Sequence, residues 1–88
     1  MKMLGGTIVN YRLQPMANAP SILEIWVRLD SYRFETLLKE ENSIGALADR
    51  FQFSLLGNGG YDFKGFIGRR CFLIQDADGI RFDSFSNN

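Results

Sequence analysis

The chain has no histidine, one cysteine and two prolines, and its ten basic residues are matched by ten acidic ones. Without histidine, the usual general base at neutral pH and the commonest metal ligand are both missing. The lone Cys71 rules out an intrachain disulfide framework and leaves a structural zinc without a ligand set. Balanced charge gives no expectation of a polyanion or an anionic membrane surface as partner. No apolar run is long enough to span a membrane, and Met1-Lys-Met-Leu-Gly-Gly lacks the core of a signal peptide. Together these absences predict a soluble, cytoplasmic chain that uses no cofactor and does no catalysis.

What is present is a dense supply of core residues. Of 88 residues, 45% are hydrophobic, and eight are Phe. That suits one small domain spanning 1–88, where stability depends on a well-filled core. The clearest pattern is Ile22–Leu29. Leu23, Ile25, Val27 and Leu29 alternate with Glu24, Trp26 and Arg28, as in a strand with one face on a core. Trp26 then lies on the polar face, where an aromatic meets another element, a ligand or a second subunit. A symmetric homodimer is the expectation from that placement.

Thr7–Leu13 reads as a first strand, with Thr7, Val9, Tyr11 and Leu13 alternating against Ile8, Asn10 and Arg12. Gly5-Gly6 reads as a flexible lead, and Pro15 and Pro20 bracket the connection onward. Past Leu29 the period changes. Phe34, Leu37 and Leu38 fit i, i+3, i+4 behind caps at Asp30 and Ser31, predicting a first helix. Asn42-Ser43 caps a second, with Ile44, Leu47, Ala48 and Phe51 on one face. Phe51–Leu56 also alternates, so an extended segment is open there. Gly57-Asn-Gly-Gly60 is a loop, and the stretch to Gly68 is a turn that packs Phe66 and Ile67 inward. Arg70–Gln75 and Ile80–Phe85 form a hairpin. A three-residue loop with a left-handed Gly79 pairs Asp76 with Ile80, placing Phe72, Ile74, Ile80 and Phe82 on the core face.

The expected fold is α+β: a curved antiparallel sheet or a small OB-like barrel, with one or two short helices inserted after the second strand. Candidate chemistry is sparse. Arg69 and Arg70 beside Cys71 favour a thiolate, but no base accompanies it and a packed structural thiol is the better reading. Asp76 and Asp78 suit a tight turn, with too few ligands for calcium. The glycine loop has two readings: a connector, or backbone amides open to an anion. The second gathers Asn58, Tyr61, Lys64, Arg69 and Arg70, with Trp26 as a stacking partner, because aromatic faces and cations suit bases and phosphates.

The segment Gly65-Phe-Ile-Gly-Arg-Arg-Cys-Phe-Leu-Ile74, with Asp78-Gly79 and Phe82 after it, resembles the closing strands of small phage-encoded proteins with an OB-like hairpin. The resemblance covers the last quarter of the chain, and only Arg69 and Arg70 match its basic position. It implies a phage or mobile-element origin, and so a host cytoplasm. The expected function is stoichiometric binding by an accessory or anti-defence factor, which sequesters a nucleotide-like molecule or blocks a host protein. The alternative is an OB-like binder of single-stranded nucleic acid.

Overall fold

A computed structural model describes residues 1–87. Its main element is a five-stranded antiparallel sheet built from β1 (Lys2–Gln14), β2 (Ser21–Leu29), β3 (Glu35–Asn42), β6 (Arg70–Asp76) and β7 (Gly79–Phe85), in the order β3-β2-β1-β6-β7. The sheet curls strongly into a half-barrel. One helix, α1 (Ile44–Phe51), follows β3. A two-stranded ribbon of β4 (Ser54–Leu55) and β5 (Tyr61–Asp62) follows the helix.

β2 behaves as its alternation requires. Leu23, Ile25, Val27 and Leu29 are buried, and Trp26 is half-buried on the other face. β1 starts earlier than expected: Gly5 and Gly6 are strand residues, with Gly6 opposite both Leu29 and Cys71. Its inward set also differs. Leu4 and Ile8 are buried, and a bulge at Val9, between the Ile8 and Asn10 pairings, resets the phase so that Tyr11 and Leu13 also pack on the core. One extra residue on one strand produces that switch.

The first expected helix is a strand. Phe34 is exposed in the turn and Leu37 faces outward, so the helical spacing of Phe34, Leu37 and Leu38 is coincidental. Only Leu38 is buried, opposite Ile25. The helical insertion therefore comes after the third strand and is a single helix. It forms where the cap and period place it: Ser43 Oγ accepts from the Ala46 N–H at 3.3 Å, and Leu47, Ala48 and Phe51 are buried. Gln52 ends it in the left-handed conformation, φ 58°.

Beyond α1, aromatics fill the mouth of the half-barrel. Phe63 stacks between Tyr11 and Phe53, with centroids at 4.2 and 4.3 Å, and Phe66 meets the edges of Tyr11 and Phe63. Phe66 is inward as expected; Ile67 is not, being 56% exposed.

The closing hairpin corrects its expected register in part. Ala77-Asp78 make a two-residue turn, with Asp76 opposite Gly79 and Leu73 opposite Phe82. A bulge at Asp83 then restores the expected pairing, with Phe72 opposite Ser84 and Cys71 opposite Phe85. Cys71, Leu73, Phe82 and Phe85 are the buried set, so Phe72 faces outward. The chain has two apolar alternations here, and the one that includes Cys71 is the buried one, with Cys71 opposite Gly6 on β1.

Candidate binding surface

No cavity opens among the described residues, so the outer sheet face and its loops are the candidate surface. The residues expected at an anion site do not converge on one point. Arg70 sits on the outer face of β6. Its guanidinium makes a bidentate pair with Asp30, at 2.6 and 2.5 Å, and donates to Thr7 Oγ1 at 2.9 Å. The pair bridges β6 to the end of β2 across β1, directly over Gly5. A Cβ on Gly5 would stand 2.7 Å from Asp30 Oδ2 and 3.4 Å from Arg70 Nη2, so the bridge exists because Gly5 has no side chain. Hydrogen bonds from Arg70 hold the Asp30 carboxyl below its ordinary range.

Arg69 points elsewhere. It donates to Gln52 Oε1 at 2.5 Å, and its guanidinium lies 3.7 Å from the Phe85 ring centroid. Both arginines are thus engaged within the chain. The glycine loop closes the β4–β5 ribbon as a turn: Leu56 N–H donates to the Gly60 carbonyl at 2.9 Å, and Gly59 N–H to the Leu56 carbonyl at 3.1 Å. Asn58 Oδ1 accepts from the Gly60 N–H at 3.0 Å, which uses that amide within the turn. Tyr61 is half-buried with its ring edge on Phe53, and Lys64 is exposed, its N–H donating to Asp62 Oδ1 at 2.9 Å. Trp26 lies on the outer face of β2, between Asn10 on β1 and Leu37 on β3.

Two other candidates resolve to structural roles. Cys71 is 1% exposed, and burial pushes its thiol up to about 11, so it stays protonated at neutral pH. Asp76 accepts from the Asp78 N–H at 2.9 Å and pairs with Arg81, which holds its carboxyl below the ordinary range.

The outer face carries several apolar residues, among them Phe72 and Ile74, which were expected on the core face. Met3 (56% exposed) lies opposite half-buried Ile74, and Phe72 (38%) lies two residues along β6. On the other flank, Leu37 (48%) lies opposite Trp26. Tyr32 and Phe34, exposed in the β2–β3 turn, pack on each other at 5.3 Å. The signal for Phe72 and Ile74 was in the run Cys71–Ile74, where either alternate pair could turn inward. Leu37 was hidden by its helical spacing.

The chain matches no protein-family model, no curated protein and no solved structure.

Proposed function

We propose that the chain is a non-enzymatic binding protein on an OB-like half-barrel, a phage-type accessory or anti-defence factor that acts by covering a host protein stoichiometrically. The order of the five long strands, with the helix between the third and fourth, supports the OB-like reading: it is the order of a five-stranded Greek-key barrel opened between its third and last strands. The observation that carries the binding reading is the outer face, which exposes apolar side chains at both flanks: Met3 and Phe72 beside half-buried Ile74 at one, and Leu37 beside half-buried Trp26 at the other, with Arg28, Glu35, Asp30 and Arg70 between them. Two apolar patches separated by charges on one sheet face suit a protein partner. The phage assignment rests on the resemblance of Gly65–Ile74 to phage-encoded closing strands.

Sequestration of a nucleotide-like molecule has less support. A phosphate would have to compete with Asp30 for Arg70 and with Phe85 and Gln52 for Arg69. Single-stranded nucleic acid is the second reading, favoured by the strand order, since OB folds hold oligonucleotides on the face of their second and third strands. Here that face offers Trp26 for stacking, but Glu24, Glu35 and Glu41 outnumber Arg28 and Lys39 on it.

Trp26 is the only tryptophan, so its emission reports on this face. Titration with a single-stranded oligonucleotide and with a nucleoside triphosphate is expected to leave the emission unchanged. Expression in a candidate host is expected to yield a stoichiometric complex that Phe72→Lys and Trp26→Ala each abolish without lowering the melting temperature. Quenching by the oligonucleotide that weakens steeply with salt would instead establish phosphate contacts and overturn the protein-partner reading.

A further inference from the structure

The five-stranded sheet ends in two edges, β3 and β7, and the two are treated differently. β7 carries the bulge at Asp83, its Arg81 is tied to Asp76, and its Phe82 carbonyl accepts from Arg50 at 3.0 Å. Bulges and covered carbonyls are ways of blocking an edge. β3 has an unbroken register with β2 from Ser21–Asn42 to Arg28–Glu35. β7 and α1 also approach β3, and Arg50 reaches it at Glu40, at 3.5 Å, after the segment Glu35–Lys39.

We propose that Glu35–Lys39 pairs antiparallel with the same segment of a second copy, about a twofold axis at Leu37. In an antiparallel pair, residues directly opposite share a face and their positions sum to a constant. Centred on Leu37, Leu37 meets the Leu37 of the second copy, and Glu35 meets Lys39 on both sides of the axis. The outer-face rows then continue across the junction. One row runs Trp26, Leu37, Leu37, Trp26. The row beside it runs Arg28, Glu35, Lys39, Glu24, alternating in sign from end to end. Arg33, just ahead of the strand, falls opposite Glu41. Moving the centre to Leu38 would set Glu35 against Glu41 and Leu37 against Lys39, so complementarity selects one register. Among the described residues neither Glu35 nor Lys39 makes an ion pair within the chain, which leaves both for the second copy. The inference concerns the edge of the sheet and does not depend on which partner its outer face binds.

Sedimentation velocity and light scattering of the full chain at micromolar concentration test it. The wild type is expected at twice the mass of the 10.0 kDa chain. Glu35→Lys alone and Lys39→Glu alone each set like charges opposite one another twice per dimer, and each is expected to weaken dimerisation by about tenfold or more. The double variant Glu35→Lys/Lys39→Glu restores the pairing with signs exchanged and is expected to recover the dimer. Both substituted positions are exposed, and circular dichroism checks that each of the three variants keeps the fold. A monomeric wild type overturns the proposal. So does a dimer indifferent to the single reversals, one that the double variant fails to restore, or one lost on Arg81→Glu instead, which would place the contact on β7.

Discussion

Two neighbouring glycines show how differently the same atom can be missed. Gly6 is buried in β1, and a Cβ there would lie 2.5 Å from Val27 Cγ1 and 3.1 Å from the Arg28 carbonyl oxygen. The β-branched side chain and the backbone have little room to give, so Gly6→Ala is expected to cost roughly 1–3 kcal/mol as overpacking. The Cβ of Gly5→Ala would meet only the ends of the Asp30 and Arg70 side chains, which are about half exposed and can swing away. An exposed ion pair contributes little, so this change is expected to shift the urea midpoint far less than Gly6→Ala. Equal shifts would mean that the Arg70–Asp30 bridge matters more than its exposure allows. Cys71, opposite Gly6, sets an alkaline limit. The folded thiol titrates at about 11, above its unfolded value. Between those values the unfolded chain has lost a proton that the folded chain keeps. Stability is therefore full below the unfolded value and falls as pH rises toward 11, by on the order of 2–3 kcal/mol. Urea melts from pH 7 to 11 should show that fall, and Cys71→Ala should remove its Cys71 share. A thiol reagent at pH 8 should react slowly with the native wild type and rapidly once it is unfolded.

At the scale of elements, the closing hairpin depends on Gly79. Its φ is 118°, a conformation that suits glycine, and a Cβ there would meet nothing within 4 Å. The cost of Gly79→Val is thus backbone strain alone, expected at roughly 1–3 kcal/mol. Thermal melts check it, and an unchanged melting temperature would remove the requirement for positive φ. That glycine was legible in the sequence as the hairpin's left-handed residue, although the turn has two residues instead of three. β2 was legible because its two faces differ chemically along its whole length. α1 was legible because Ser43 and four apolar positions agree on one helix. β3 was not, because three apolar residues within five positions fit either period. The decision came from pairing with β2, where Leu38 meets Ile25. The bulges at Val9 and Asp83 each reverse which alternate residues face inward, and no local pattern marks them. The same limit applied to the candidate site. The outward placement of Trp26 follows from alternation alone. The partners of Arg69 and Arg70 do not, since Asp30 lies 40 residues from Arg70 and meets it only across the folded sheet.

The half-barrel as a whole is held at its open side by α1, and one side chain spans the gap. Arg50 reaches Glu40 on β3 at 3.5 Å and the Phe82 carbonyl on β7 at 3.0 Å, while its guanidinium lies 5.4 Å from the Phe82 ring centroid and 5.5 Å from that of Phe51. A planar fork can bond a carbonyl, face a carboxylate and lie against rings at once, which an ammonium cannot do. Arg50→Met keeps an unbranched apolar stem but leaves the Phe82 carbonyl without its donor. It is expected to destabilise the fold by roughly 1–2 kcal/mol. Arg50→Lys keeps the attraction to Glu40, yet it is expected to recover less than half of that loss, because the Glu40 pair is partly exposed and the carbonyl bond with ring contact is the larger share. The two variants also make a prediction about where the loss appears. β7 pairs only with β6, so weakening the clasp should speed amide hydrogen exchange in Gly79–Phe85 while β1 and β2, paired on both sides at the sheet's centre, keep their protection. Exchange that rose equally across all five strands would show the helix to be stabilising the sheet as one cooperative unit, with Arg50 no more than one of its contacts.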